Sequence, residues 1–332
     1  MKKLSSILLL TLGLAGCEST VTLPEPAHTP RIALLYTLSD QPLDTSSNLM
    51  VTRQPFVSYS QRVFDTKALM GRDDATIEIE DEGGTVVERF KAGYPRKQNV
   101  YGRSSGYYTP TMGLVGQAGR TYTLRTSMPG FETVESTLTM PTKPVIDDAT
   151  FVVRSGGVLG GNTQGKARLT ITLTDNPTTA NYYAAFVRLL DKQGKPILNS
   201  SIYTDFEDQN SDFEIGRFEL SSDSYYFGNN LKPYADTNVS GKQFSLSANV
   251  QYYVGGCYSS PSRPVVCQEL GYVEVKVSNM TPDAYRFYQS SRSYNDTRDN
   301  PFAEPAPLAF NIKPGYGLFG GAADATYRIK LF

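Results

Sequence analysis

The most reactive side chains in this 332-residue chain are three cysteines and one histidine, and their surroundings decide what each can do. Cys17 closes the run Leu14-Ala15-Gly16-Cys17, behind an apolar stretch from Ile7 to Leu14 and the positive pair Lys2 and Lys3. Small residues ahead of such a cysteine read as a lipobox, in which the sulfur is diacylated and the cysteine becomes the new N-terminus. An ordinary secretory signal containing a cysteine, or a short anchor, is the alternative. The apolar run is shorter than the roughly 20 residues needed to span a bilayer, which argues against an anchor. Each buried acyl methylene contributes about 0.8 kcal/mol, so two or three chains hold a protein stably at a membrane. Residues 1–16 are thus expected to be a signal peptide and Cys17 the lipidation site.

The other two cysteines, Cys257 and Cys267, sit in GGCYSSPSRPVVCQE. In an exported chain an even pair reads as a disulfide, and closing so short a loop stabilises by about 2–3 kcal/mol. A metal pair is the rival, but no histidine or third cysteine is available to complete it. His28 falls in ESTVTLPEPAHTP, a proline-bearing tether over residues 17–30, where nothing orients it as a ligand or base.

Other motifs carry less. Gly315-Tyr316-Gly317-Leu318-Phe319-Gly320 matches G-x-G-x-x-G, but the twelve residues after it leave no room for a βαβ unit. It reads as a structural turn. Asp208, Asn210, Asp212 and Glu219 follow calcium-loop spacing, yet Phe213 stands where the tight turn needs glycine. An acidic hairpin loop is the expectation there. A Ser-His-Asp or Cys-His site would have to use His28, and a carboxylate pair of glycosidase type is neither supported nor excluded. No catalytic residue, metal site or cofactor is assigned. The doublets Tyr107-Tyr108, Tyr182-Tyr183, Tyr225-Tyr226 and Tyr252-Tyr253 could stack on a peptide or sugar ring. In strands, adjacent residues face opposite sides, so one ring of each doublet is expected in the core.

The elements that must hold these residues are mostly strands. No Trp, 22 Tyr, 28 Gly and 20 Pro suit a turn-rich β protein. Removing Lys2 and Lys3 with the leader leaves 30 basic against 33 acidic residues, a net charge of −3 that gives nucleic acid no electrostatic footing. Short strands are expected at Ile32–Tyr36, Leu49–Tyr59, Thr76–Glu80 and Thr85–Phe90, the last two joined by the turn Asp81-Glu82-Gly83-Gly84. Strands opening at Gly119 and running from Phe131 to Met140 follow. Tyr122, soon after a glycine-bearing corner, has the placement of the tyrosine corner of immunoglobulin-like sandwiches. Residues 31–140 are therefore read as an immunoglobulin-like β-sandwich, and Pro141-Thr142-Lys143-Pro144 as a boundary. Residues 145–332 are read as a second β-rich domain, with a glycine-rich loop from Gly156 to Gly165 and a final strand Thr326–Phe332. One short helix is expected over residues 281–288, with Thr281 as N-cap, Pro282 first and Asp283 complementing the dipole.

The order of these features resembles domain-of-unknown-function family 4249, a group of Bacteroidota lipoproteins. The likeness is carried by the lipobox, DDATIEIEDEGG and GLVGQAGRTYTLRTSMPGFETVESTLTMPTKPVID, then by NPFAEPAPLAFNIKPGYGLFGG and a closing strand. Its C-terminal block, with Asn300-Pro301-Phe302, Glu304-Pro305, Asn311-Ile312 and Gly315 to Gly321, is the more specific part. The resemblance implies an outer-membrane lipoprotein, facing either periplasm or medium, whose genes sit beside TonB-dependent receptors. Glu18 after the cysteine does not resemble the usual inner-membrane retention signal. The expected function is a non-enzymatic binding or accessory subunit of such a receptor in nutrient uptake. A surface glycan hydrolase using carboxylates, or a structural or adhesive surface protein, are the alternatives.

Overall fold

The computed structural model describes residues 27–44, 53–62, 65, 70–93, 105–159, 162–197, 200–205, 219–221, 231–255, 258–260, 263–266, 268–298 and 306–332. Residues 30–60 and 69–332 form one compact unit; of the other, residues 1–29 and 61–68, the described part is residues 27–29, 61–62 and 65. Among the described residues no helix is long and apolar enough to cross a membrane. The chain is mostly β, as its alternating patterns predict.

The N-terminal strands are β1 (Ile32–Ser39), β2 (Phe56–Tyr59), β3 (Thr76–Glu80), β4 (Val86–Ala92), β5 (Tyr108–Pro110), β6 (Thr121–Ser127) and β7 (Val134–Thr139). β3 to β7 make a five-stranded sheet in the order β5-β4-β3-β6-β7. The β3–β4 hairpin forms where alternation and Asp81-Glu82-Gly83-Gly84 place it, with Asp81 Oδ1 accepting from the amides of Gly83 and Thr85 at 2.9 Å. Tyr122 Oη accepts from the amide of Gln117, five residues upstream, at 3.2 Å.

After residue 144 come β8 (Val145–Leu159), β9 (Asn162–Thr174), β10 (Tyr182–Asp191), β11 (Ser200–Thr204), β12 (Tyr234–Ala235) and β13 (Gln243–Val254). The remaining elements are β14 (Tyr258–Ser260), β15 (Arg263–Val266), β16 (Leu270–Met280), α1 (Pro282–Arg298) and β17 (Tyr316–Lys330). A four-stranded sheet has the order β11-β13-β9-β8. The expected glycine-rich loop is instead ladder, since β8 pairs with β9 through Gly156 and Gly165 out to Leu159 and Asn162. Gly165 is required there because a Cβ would lie 2.4 Å from the Ser155 carbonyl oxygen. β14 and β15 form a hairpin with Tyr258 opposite Val266. Cys257 and Cys267 flank it in sequence and lie outside the described residues.

The third sheet ties the chain together, in the order β12-β10-β16-β17-β1-β2. β17 serves two neighbours in succession. Its first part pairs in parallel with β1, Ala33 opposite Tyr316 through Ser39 opposite Ala322. From Ala322 to Lys330 it pairs antiparallel with β16. The boundary at Pro141 to Pro144 therefore separates the five-stranded sheet from β8 but does not separate β1 from the C-terminal strands. One face of β17 supplies both cores. Phe319 packs with Leu34, Tyr36, Ile79, Leu124 and Leu138 against the five-stranded sheet. Tyr327 and Ile329 pack with Leu169, Ile171, Leu246, Val273 and Val275 against the four-stranded one. On the opposite face Ala284 and Tyr288 of α1 cover Ala184, Phe186, Leu318 and Ala322.

Two expectations about this region change. The segment Gly315 to Gly320 is no turn, for β17 begins at Tyr316. Gly317 sits at φ +110°, and a Cβ there would lie 1.9 Å from the Leu34 carbonyl oxygen, so only glycine lets β1 approach. The helix also runs to Arg298 rather than ending near Tyr288. Thr281 starts it through its carbonyl, which accepts from the amide of Tyr285 at 3.0 Å. Its hydroxyl accepts from the Gly321 amide at 3.1 Å, joining the helix start to β17 instead of capping the first turn.

Candidate functional site

The face of the six-stranded sheet that carries α1 also carries charge, arranged by register. Arg188 on β10 lies opposite Glu274 on β16, which lies opposite Arg328 on β17. Alternation alone assigns Glu274, Lys276 and Ser278 to a solvent face, but Glu274 and Ser278 are buried. Both Glu274 oxygens are used, by Arg188 Nε at 2.5 Å and Arg328 Nε at 2.7 Å. Two rungs along, Ser278 opposes Asp324 and donates to its Oδ1 at 2.5 Å. Arg53, on the segment leading into β2, donates to the same oxygen at 2.9 Å and to Ser278 Oγ at 3.2 Å. The backbone amide of Asp324 donates to Asp40 Oδ1 at 2.8 Å, fixing the segment after β1 over this row.

Above Lys276, Asp324 and Arg53 opens a cleft of about 230 Å³. Ser39, Gln41, Pro42, Leu43 and Asp44 form one wall, and Pro110, Gly113, Leu114 and Val115 the other. Asp44 is held by Arg188 Nη1 at 3.2 Å. The second wall depends on Glu88, which is fully buried on β4 opposite Ile79. Its Oε1 accepts from the amides of Thr111 at 2.8 Å and Met112 at 2.7 Å, and its Oε2 from that of Leu114 at 2.7 Å. A carboxylate bonded to that many amides is a template for the loop it organises.

Among the lining residues Tyr36 is stacked on Phe319, with ring centroids 5.9 Å apart, and meets Phe90 edge-on at 5.4 Å. Burial raises its hydroxyl well above the ordinary phenol range, and the nearby Glu88 charge adds to this while Arg53 opposes it. Tyr36 therefore stays protonated and supplies shape and a dipole. Burial likewise pushes Tyr288 up to about 12. Asp324 faces two cations, Arg53 and Lys276, the latter with Nζ 4.0 Å from Oδ2. One donor is spare: Arg53 Nη1 is buried and has no hydrogen-bond partner among the described residues. The floor of Arg53, Lys276 and Asp324, with Asp44 in the wall, sets two cations against two carboxylates; Arg53 Nη1 is the donor left over for a small anionic group, and Leu43, Leu114 and Val115 offer apolar contact beside it.

The residues singled out from sequence are placed differently. Cys17, Cys257 and Cys267 lie outside the described residues, as do Asp208 to Asp212 and the Tyr225-Tyr226 doublet. Glu219, the last position of the calcium-like spacing, is buried and paired with Lys232 Nζ and, at 3.3 Å, Arg292 Nη2 of α1. Among the described residues no group of three His, Cys, Asp or Glu side chains could hold a metal ion. His28 lies in the stretch before β1 and is not one of the residues that line the cleft. The doublets follow strand alternation. Tyr108, Tyr183 and Tyr252 are buried, while Tyr107 contacts Phe56 and Tyr182 stacks on Tyr285 of α1 at 4.7 Å.

Sequence reasoning missed Arg53, Glu88, Lys276 and Asp324, which are scattered along the chain and form no local motif. The signal for two of them was present. Glu88 shares its strand phase with the inward Phe90, and Asp324 interrupts the small-residue run Gly320 to Ala325.

No curated protein matches the chain. The family whose model does match is described as Domain of unknown function (DUF4249), and the match spans residues 36–328. It takes in the cleft, most of both cores and the shared strand as far as Arg328, and the chain belongs to that family.

Proposed function

We propose that the protein is a lipid-anchored, non-enzymatic binding or accessory subunit of the outer membrane, working with a TonB-dependent receptor in nutrient uptake. Acylated Cys17 supplies the anchor, and the cleft over Arg53, Lys276 and Asp324 is the ligand site. The observation that carries binding over catalysis is the state of the cleft's charges. Asp324 is tied to Arg53 at 2.9 Å and to Ser278, and Asp44 to Arg188, so each carboxylate of the lining is already committed to a partner within the fold. The ligand class that suits this floor is a small molecule with a carboxylate or similar anionic group. Cys257 and Cys267 belong to this reading as a disulfide at the foot of the β14–β15 hairpin, whose register brings Tyr258 opposite Val266.

Mild-detergent extraction of the native protein followed by affinity capture tests the partnership. Recovery of a β-barrel receptor in stoichiometric amount is the expected result, and recovery of the lipoprotein alone would overturn it. A thermal-shift panel of small carboxylates tests the cleft. Stabilisation by an anionic ligand that disappears in Lys276→Ala is expected, and equal shifts in both proteins would remove the cleft from the proposal.

A further inference from the structure

We propose that a second surface of this protein, formed by Leu308, Phe310 and Tyr316 and flanked by Arg31 and Lys313, seats directly on the lipid interface of the membrane that holds Cys17. The proposal rests on the anchoring proposed above. Among the exposed large apolar side chains of the described residues, these three stand within nine positions of one another, at 41%, 49% and 37% exposure, as do Val145, Val152 and Val153, but only the first group carries aromatic rings. Phe310 and Tyr316 meet edge-on with centroids 5.2 Å apart, so two rings present a single face.

The base beneath them is rigid. Asn311 accepts from the Phe319 amide at 2.9 Å and donates to the Phe319 carbonyl at 2.8 Å and to Asp283 Oδ2 at 3.2 Å. The Ala309 amide donates to Ser290 Oγ of α1 at 2.8 Å, and Ile312 is fully buried. Rings pinned in this way in an exposed position gain no core contact from being apolar.

Their place in the fold says what covers them. β1 and β17 run parallel with Ala33 opposite Tyr316, so the rings stand at the end of the sheet where the chain enters the body. Arg31 Nη1 donates to the Pro314 carbonyl at 3.4 Å, at the same end. Cys17 is fourteen residues before Arg31, which limits their separation to roughly 50 Å of extended chain. Exposed Arg31 and Lys313 beside the rings complete a footprint of interfacial type, with aromatic and leucine side chains at headgroup depth and cations near phosphate. Acyl chains alone leave a body free to swivel; a seated patch would fix which way the cleft faces.

The chain contains no tryptophan, so a single introduced indole reports one position. Phe310→Trp, Tyr316→Trp and, as a control on the four-stranded sheet, Tyr203→Trp are prepared in the full lipidated protein. Each is reconstituted into phosphatidylethanolamine–phosphatidylglycerol vesicles with and without brominated acyl chains. At positions 310 and 316 a blue-shifted emission and at least twofold quenching by the brominated lipid are expected, with position 203 unchanged. Vesicle flotation without greater quenching at 310 and 316 than at 203 would overturn the seating and leave the anchor standing. Protein that stays at the bottom of the gradient would remove both.

Discussion

Replacing Glu88 tests how the cleft is held open. Its two oxygens accept from the Thr111, Met112 and Leu114 amides at 2.7–2.8 Å, besides the adjacent Arg89 amide at 3.0 Å. A hydrogen bond to an ionised acceptor contributes about 1.5–3 kcal/mol, and the lower figure applies here because the loop lies at the surface and its amides can find water. Glu88→Ala strands three loop amides and should cost about 4 kcal/mol. Glu88→Gln is the sharper variant. Its amide oxygen can still serve Thr111 and Met112, but its NH₂ then faces the Leu114 amide, donor against donor. One lost bond and the missing charge cost roughly 2 kcal/mol. Urea denaturation gives both values, and hydrogen exchange resolved to residues 111–115 shows whether the damage is local. A Glu88→Gln protein within 0.5 kcal/mol of the parent, with unchanged protection at Leu114, would refute the template role of this carboxylate.

Further outcomes follow from other contacts. Gly317→Ala places a Cβ 1.9 Å from the Leu34 carbonyl oxygen at φ +110°, and should lower stability by about 3 kcal/mol or more; Gly130→Ala, at φ +83° with nothing within 4 Å, should cost about 1 kcal/mol, so equal urea midpoints for the two would discount the close approach of β1. Arg53→Met leaves Asp324 buried beside Lys276 alone and should cost about 3–5 kcal/mol, while adding Asp324→Leu should restore part of it; a double variant no better than the single would deny the pair its role. Tyr288, raised by burial to about 12, keeps its proton longer in the folded chain than in the unfolded one. Its contribution is therefore complete below pH 10 and is lost as pH climbs from about 10 to 12, by some 2–3 kcal/mol. Absorbance at 295 nm should show tyrosines that ionise only as the protein unfolds, and a smooth titration with no coincident loss of circular dichroism would contradict this.

Local sequence made some of this architecture readable and hid the rest for identifiable reasons. The β3–β4 hairpin was legible because alternation, the Asp81 side chain and Gly84 at φ +76° all act within a few residues. The helix start was legible through Thr281-Pro282-Asp283. Its end was not, since Ser290 to Arg298 is polar nearly throughout and shows no apolar stripe. Gly317 and Gly165 were misread as loop glycines because their reasons lie across the sheet, at the Leu34 and Ser155 carbonyls. The cleft was hidden for a related cause. The polar positions of β16 look like a wetted face, and only β10 and β17 on either side turn Glu274 and Ser278 into buried groups. Residues such as Arg53 and Asp324, some 270 positions apart, meet only because β1 and β17 are neighbours.

That neighbourhood also dictates an order of events. β1 has β2 on one side, but on the other it waits for residues some 280 positions downstream. Closing so distant a pairing is entropically slow, and chains dominated by such contacts fold late. β1 therefore stays without its second neighbour until β17 is available, and the two cores that share β17 close only when it pairs.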